Sequence, residues 1–341
     1  MDVSRCRGEG SASGRKRVLV TGANGFVARF LVEALRRRGD ETVGVDRTPQ
    51  AVWKVDRYYA CNLLESNAIR ILMEVERPTH VVHLAAVSSV ARSWTAPVDS
   101  FLNNTNVFLN VVEAVRSLGL ATRILSVGSS EEYGNVRADE TPLAETHRLN
   151  PCSPYAVARV AQEQLSRLYA GGYGLDIVMT RSFNQIGPGQ GATFVVPSFV
   201  RQLLAARAAG RRTARITAGD LGIVRDFLDV RDAVAAYLLL LDRGVRGEVY
   251  NVCSGRGFRL DEVLHAAAEL VGVEVETVID SAYVRPADNH VIVGDNAKIR
   301  AATGWAPRRD LGASLRDIID AHVSAGAGAQ AGEKPRRETP R

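Results

Sequence analysis

Lysine is nearly absent from this 341-residue chain, occurring only at 16, 54, 298 and 334, so arginine carries almost all the positive charge. Long apolar runs are missing too. The longest, Ala233 to Leu241, is nine residues, against the roughly 18–20 needed to cross a bilayer. No apolar stretch follows the basic start (Arg5, Arg7, Arg15, Lys16, Arg17), so no secretory leader and no membrane partner are expected. The four cysteines, at 6, 61, 152 and 253, include no C-x-x-C pair, which fits a reduced, cytoplasmic protein. His80 and His83 form an H-x-x-H, but the stretch from 79 to 86 reads as a buried strand. Residues three apart on a strand face opposite ways, so no metal site is expected.

Basic excess on a folded body is missing as well. Residues 1–17 carry five basic and two acidic side chains, and 331–341 carry four and two, so 18–330 sum to zero within the net +5. A nucleic-acid domain puts its basic patch on the fold. Here the excess sits in Gly/Ser- and Gly/Ala/Pro-rich ends, and no nucleic-acid partner is expected. With 46% hydrophobic and 24% charged residues, the composition is that of a globular protein able to bury a large core.

What is present is alternation. Strand patterns at 17–21, 42–46, 80–86, 123–127 and 176–181 are separated by helical patterns at 25–38, 67–75, 104–118 and 155–168. Strands alternating with helices of this length mean right-handed βαβ units, hence an α/β, Rossmann-type doubly wound parallel sheet. After about 185 the pattern loosens, with helices at 196–209, 232–241 and 260–271 and a strand at 248–252. The expected organisation is a flexible basic tail (1–16), a dinucleotide-binding domain (17–184), a smaller lobe that mainly binds substrate and returns a strand to the sheet (185–325), and a flexible tail (326–341). Ligands of such sheets bind beyond the carboxyl ends of the strands.

Thr21-Gly-Ala-Asn-Gly-Phe-Val-Ala28 joins the first strand to the first helix. Gly22 permits the tight turn, Gly25 lets the backbone approach a pyrophosphate, and Ala28 lets helix and strand pack closely. The helix start offers unpaired N–H groups to the phosphates, so Asn24, Phe26 and Val27 join the candidate cofactor set. Asp46 ends the second strand, placed to accept from adenosine ribose hydroxyls and to repel a 2′-phosphate. NAD(H) is thereby favoured, while Arg47 beside it keeps NADP(H) open. Asn62 and Leu63 are candidates for the adenine edge, and Leu84, Ala85, Ala86 and Ser88 follow the third strand into the same crevice.

Tyr155 and Arg159 lie four apart and share a helix face. A cation there lowers a phenol's pKa from about 10 toward neutrality. The phenol can then move a proton to or from a sugar oxygen while hydride passes between carbon and nicotinamide. Ser129, at its strand end, is placed to bond the same oxygen.

These stretches resemble the extended short-chain dehydrogenase/reductase (NAD-dependent epimerase/dehydratase) family over about 17–322, and within it most resemble GDP-4-keto-6-deoxy-D-mannose reductases. The resemblance is carried by Gly128-Ser-Ser-Glu-Glu-Tyr-Gly134, Ser182-Phe-Asn-Gln-Ile-Gly-Pro-Gly-Gln190, Val224-Arg-Asp-Phe-Leu-Asp-Val-Arg-Asp232, Tyr250-Asn-Val-Cys-Ser-Gly255 and Thr303-Gly-Trp305. It implies that Ser129 and Tyr155 form the catalytic hydroxyl pair, with Arg159 on the nicotinamide ribose and Asn104 holding a helix bend or a relay water. It further implies that Ser130, Asn184, Arg225 and Arg285 meet the nucleotide sugar, GDP-linked by preference. Glu131 stands where family dehydratases place the base for C5. The helices at 104–118 and 155–168 are those through which members pair as homodimers.

Three departures stand out. Arg159 replaces the family lysine, Ala28 a glycine, and Val107-Phe108 a common Gly-Thr. Arginine for lysine is not a conservative exchange at such a site. Three functions follow: a C4 ketone reductase consuming NAD(P)H, an epimerase or 4,6-dehydratase that recycles bound NAD, and a nucleotide-sugar-binding homologue weakened by Arg159.

Overall fold

The computed structural model describes residues 15–283 and 289–332. Seven strands form one parallel sheet: β1 (Arg17–Thr21), β2 (Glu41–Asp46), β3 (Arg57–Ala60), β4 (His80–His83), β5 (Arg123–Ser129), β6 (Asp176–Ser182) and, returning from the second lobe, β10 (Val249–Val252). Their spatial order is β10-β6-β5-β4-β1-β2-β3. Chain order reverses between β1 and β4, which opens the crevice expected of a doubly wound sheet. Val18, Leu19 and Val20 are all fully buried, because a strand covered on both faces has no solvent side.

Helices cover both faces. α1 (Phe26–Arg37) packs on one, against α8 (Val230–Arg243). α2 (Ser66–Glu76) and α5 (Val107–Ser117) cover the other. α3 (Val90–Thr95) and α4 (Pro97–Phe101) precede α5, and α6 (Pro154–Gly172) packs beside them. Ser153 caps α6 by accepting from Ala156 N at 3.1 Å, with Pro154 at the first helical position, a strong start signal.

The second lobe holds β7 (Asn184–Ile186), β9 (Val224–Asp229), β11 (Gly257–Arg259) and β13 (Val291–Ile292) in one small sheet, and β8 (Thr213–Ala218) with β12 (Glu274–Ile279) in another. α7 (Val195–Ala208), α9 (Leu260–Val271) and α11 (Leu311–Gly332) close over their own apolar core. α10 (Ala297–Thr303) packs on β10 and α8.

The uniform helix read at 104–118 is not what forms. Residues Leu102–Asn106 make a π-helical turn, with Val107 N–H bonded five residues back to Leu102 O, before α5 begins. The cause is tertiary. Asn104 is buried with its amide spent on the loop after β4, accepting from Val87 N at 3.0 Å and donating to Val87 O and Ser100 Oγ at 3.2 Å each. Such widened turns recur at functional sites.

Candidate active site

The glycine turn sits at the β1–α1 junction, in the crevice. Gly22 has φ +67°, and a Cβ there would stand 2.9 Å from Ala85 N and Cα, so only glycine lets the two strand-end loops touch. Gly25 precedes α1 with no side chain capping the helix start, which leaves its N–H groups open to an anion. Thr21 Oγ1 accepts from Leu84 N and Ala85 N at 3.1 Å each, and lies 3.0 Å from His83 Nδ1. Its hydroxyl proton therefore goes to Nδ1, and the imidazole hydrogen resides on Nε2. Burial, then Arg159, pushes His83 down to about 3. It is a neutral strut, with Phe108 set edge-on at 5.2 Å.

Asp46 at the end of β2 accepts from Asn24 N at 3.2 Å and Thr48 N at 3.3 Å. Asn24 is a brace for the loop after β2: it donates to Gln50 O at 2.9 Å and Tyr58 OH at 3.0 Å and accepts from Val52 N at 2.8 Å. Arg47 is exposed beside the carboxylate. Asn62 accepts from Leu64 N at 3.2 Å, and Leu63 is buried beneath. Gln185 Oε1 and Gln190 Oε1, past the end of β6, are buried acceptors without a partner among the described residues. An open helix start, a cradle that a Cβ would fill and unspent acceptors together fit a polar dinucleotide.

On α6, Arg159 Nε donates to Tyr155 Oη at 3.1 Å, and its guanidinium lies 5.2 Å from that ring. Nη1 donates to Val127 O at 3.2 Å and Gln162 Oε1 at 2.6 Å. Ser129 Oγ accepts from Glu131 N at 3.2 Å. Because each hydroxyl oxygen receives a bond, both phenol and serine protons stay available for donation. Tyr155, Arg159, Ser129 and Ser130 are buried, with Glu131 and Asn184 half-buried.

Behind Ser129 lies a charged cluster that sequence reading did not identify. Glu132 Oε1 accepts from Ser129 N at 2.7 Å. A Cβ on Gly128 would stand 2.4 Å from that oxygen, so glycine is required there. Arg181 Nε and Nη2 each reach Glu163 at 2.8 Å, while Glu132 Oε2 stays 3.9 Å away. Burial first, then the Glu163 charge, pushes Glu132 well above its ordinary value. Burial acts the same way on Glu163, but the Arg181 hydrogen bonds outweigh it and hold that carboxyl low. Glu132 thus keeps a proton and Glu163 is the ion. The spacing Ser129-x-x-Glu132 is a capping box, the one sequence signal that pointed to it.

Arg225 is buried on β9, its Nη1 donating to Val224 O at 3.0 Å and Asn289 O at 2.6 Å. Arg285 lies outside the described residues.

Sheet order, glycine turn and the tyrosine–arginine pair place the molecule among the extended short-chain dehydrogenases/reductases. A family model described as GDP-mannose 4,6 dehydratase matches residues 19–318, and the chain belongs to that family. It is 35% identical over 89% of its length to GDP-6-deoxy-D-mannose reductase of Pseudomonas aeruginosa, covering 96% of that enzyme. It is 27% identical to UDP-glucose 4-epimerase of Lacticaseibacillus casei, over 86% of this chain and 92% of that one. Among solved structures, RMD from Pseudomonas aeruginosa complexed with NADPH superposes with TM-score 0.78 at 34% identity, covering 91% of this chain and 98% of that one. The UDP-glucose 4-epimerase of Thermus thermophilus with NAD gives 0.81 at 32%, covering 91% and 99%.

Proposed function

We propose that the chain is a nucleotide-sugar oxidoreductase that reduces the C4 ketone of GDP-4-keto-6-deoxy-D-mannose or a close relative with NAD(P)H. The observation that carries this reading is the Tyr155 hydroxyl, receiving a hydrogen bond from Arg159, in a chain 35% identical to a GDP-6-deoxy-D-mannose reductase. A reduced nicotinamide, when bound, supplies hydride to carbon. Ser129 donates to the C4 oxygen and orients it. Tyr155 gives that oxygen its proton, and Arg159 steadies the charge left on the phenol oxygen. Gly22, Gly25, Asn24, Phe26 and Val27 hold the pyrophosphate end, with Asn62, Leu63, Leu84, Ala85, Ala86 and Ser88 around the rest. Asp46 takes the adenosine ribose, which favours NAD(H), with NADP(H) admitted through exposed Arg47. Asn104 keeps the loop after β4 in place.

Ser130 and Asn184 face the sugar, while Arg225 and Arg285 meet the diphosphate. Residues 17–184 then serve the cofactor and 185–325 mainly the substrate. Exposed Val98, Phe101, Leu102 and Val157 on α4, the π turn and α6 suit burial against a second copy in a homodimer. No helix among the described residues is long and apolar enough to cross a membrane, in keeping with a cytoplasmic enzyme.

The test is to supply GDP-4-keto-6-deoxy-D-mannose with NADH or NADPH, follow reduced-nicotinamide absorbance and identify the sugar. Stoichiometric oxidation with a GDP-6-deoxyhexose formed supports the reductase. A second reading rests on half-buried Glu131 beside Ser129 and Ser130: an epimerase or 4,6-dehydratase with recycled NAD. It requires NAD retained through purification and no net consumption.

A further inference from the structure

We propose that Gln162, backed by Ser126, is the positioning residue that seats a guanidinium at 159 against Tyr155, so that the site is built for arginine. The proposal deepens the reductase reading and rests on it for the identity of the reacting sugar. Tyr155, Arg159 and Gln162 recur at four and three residues along α6, one face of the helix. A guanidinium has five N–H groups in a rigid plane. Three are spent within the protein: one on Tyr155 Oη at 3.1 Å, one on Val127 O at 3.2 Å and one on Gln162 Oε1 at 2.6 Å. Gln162 cannot turn its amide over, because Nε2 donates to Ser126 Oγ at 2.9 Å and to Val127 O at 3.2 Å. Ser126 is held in turn by Ser166, their hydroxyls 3.0 Å apart. Gln162, Ser126 and Ser166 are each 2% exposed or less.

The Gln162 carbonyl therefore faces the guanidinium with its orientation fixed by the sheet. Nη2, whose two N–H groups have no partner among the described residues, remains for the vicinal hydroxyls of a nicotinamide ribose. A lysine presents three donors from a single point. It cannot span Tyr155 Oη, Val127 O and Gln162 Oε1 at once, and would leave the Gln162 acceptor buried without a donor.

The test is a double-mutant cycle on the full chain with Arg159→Lys, Gln162→Met and the pair, read by NAD(P)H affinity from nicotinamide fluorescence and by kcat and KM for the keto sugar. Each single variant should weaken NAD(P)H binding and lower kcat by about tenfold, with sugar KM nearly unchanged, and the pair should be little worse than either, since Gln162 acts only through the guanidinium. Effects that multiply in the pair, or a Gln162→Met protein indistinguishable from wild type, overturn the proposal. If Gln162→Met does not fold, Ser126→Ala, which removes only the prop behind Gln162, carries the same cycle. A wild type that reduces no keto sugar refutes the function reading alone, because the affinity cycle still decides this one.

Discussion

Replacing Glu132 by glutamine is expected to leave the protein folded and to make it increasingly more stable than the wild type as pH rises. Glu132 is fully buried, and Arg181 is already committed to Glu163 through two bonds of 2.8 Å. Arg167 also pairs with Glu163, at 3.0 Å, and neither guanidinium comes closer than 3.9 Å to Glu132 among the described residues, so Glu132 retains a proton that the unfolded chain releases above an ordinary carboxyl pKa of about 4.3. The native state then binds more protons than the unfolded one between that value and the raised native one. Stability is greatest below the unfolded pKa and falls as pH rises through this window, by about 1.4 kcal/mol per pH unit. Glutamine mimics the protonated acid, with Oε1 accepting from Ser129 N and Nε2 facing Glu163, and has no proton to lose. Arg181→Met, by contrast, leaves the buried Glu163 carboxylate with only the more exposed Arg167 and should cost up to about 3 kcal/mol. Urea unfolding midpoints at a series of pH values from about 5 to 8 measure both. If Glu132→Gln were as damaging as Arg181→Met at every pH, Glu132 would be an ion paired with Arg181 and the argument would be refuted.

Tyr155→Phe should lower turnover by roughly 10²–10⁴-fold, the share of a positioned proton donor, with NAD(P)H affinity by fluorescence kept; near-normal turnover would remove Tyr155 from the chemistry. Gly22→Ala forces a side chain onto a φ of +67° and within 2.9 Å of Ala85, so cofactor binding should be lost and stability should fall by about 1–3 kcal/mol; unchanged NAD(P)H affinity would contradict the cradle. His83, held at about 3 against an ordinary 6.5, contributes stability that is present above the unfolded value and lost as pH falls through the window toward 3. His83→Asn should flatten that acid slope by about one proton, read from unfolding midpoints against pH; an unaltered slope would mean the imidazole is charged in the native state.

The parallel sheet was legible because its signals are local: Val18–Val20 in a fully apolar run, Gly22 and Gly25 at a strand–helix junction, Ser153-Pro154 at a helix start. The missed features are long-range. Leu102-Asn-Asn-Thr-Asn106 holds no proline or glycine, so the residues alone read as plain helix and only the resemblance pointed to a bend at Asn104; the chain widens there because Asn104 answers Val87. Glu132, Glu163 and Arg181 look like three surface charges until β5 and β6 pair Gly128 with Arg181 and α6 lays Glu163 over them. Gln162 was within reach of helical spacing, since it shares a face with Tyr155 and Arg159, but its meaning depends on the amide orientation that Ser126 imposes.

The stretches that carry the family resemblance are, in large part, clamps. Asp226 accepts from Ser254 N at 2.8 Å and Gly255 N at 2.9 Å, tying β9 to the loop after β10. Asp232 receives Arg308 N and Arg309 N at 2.8 Å each, and its own carbonyl accepts from Trp305 Nε1 at 3.0 Å. These bonds fix the second lobe's loops against the sheet whatever sugar is bound. Reductases, epimerases and dehydratases can therefore share them, and likeness in these stretches speaks for the scaffold. The reaction must then be chosen by other groups, and in the reading proposed above these are Ser129, Ser130, Glu131, Tyr155, Arg159 and Asn184. In that set the departure at 159 is accompanied by a carbonyl, an amide and a hydroxyl arranged to hold a guanidinium. A chance exchange of lysine for arginine at the surface would have no reason to bring a buried seat with it.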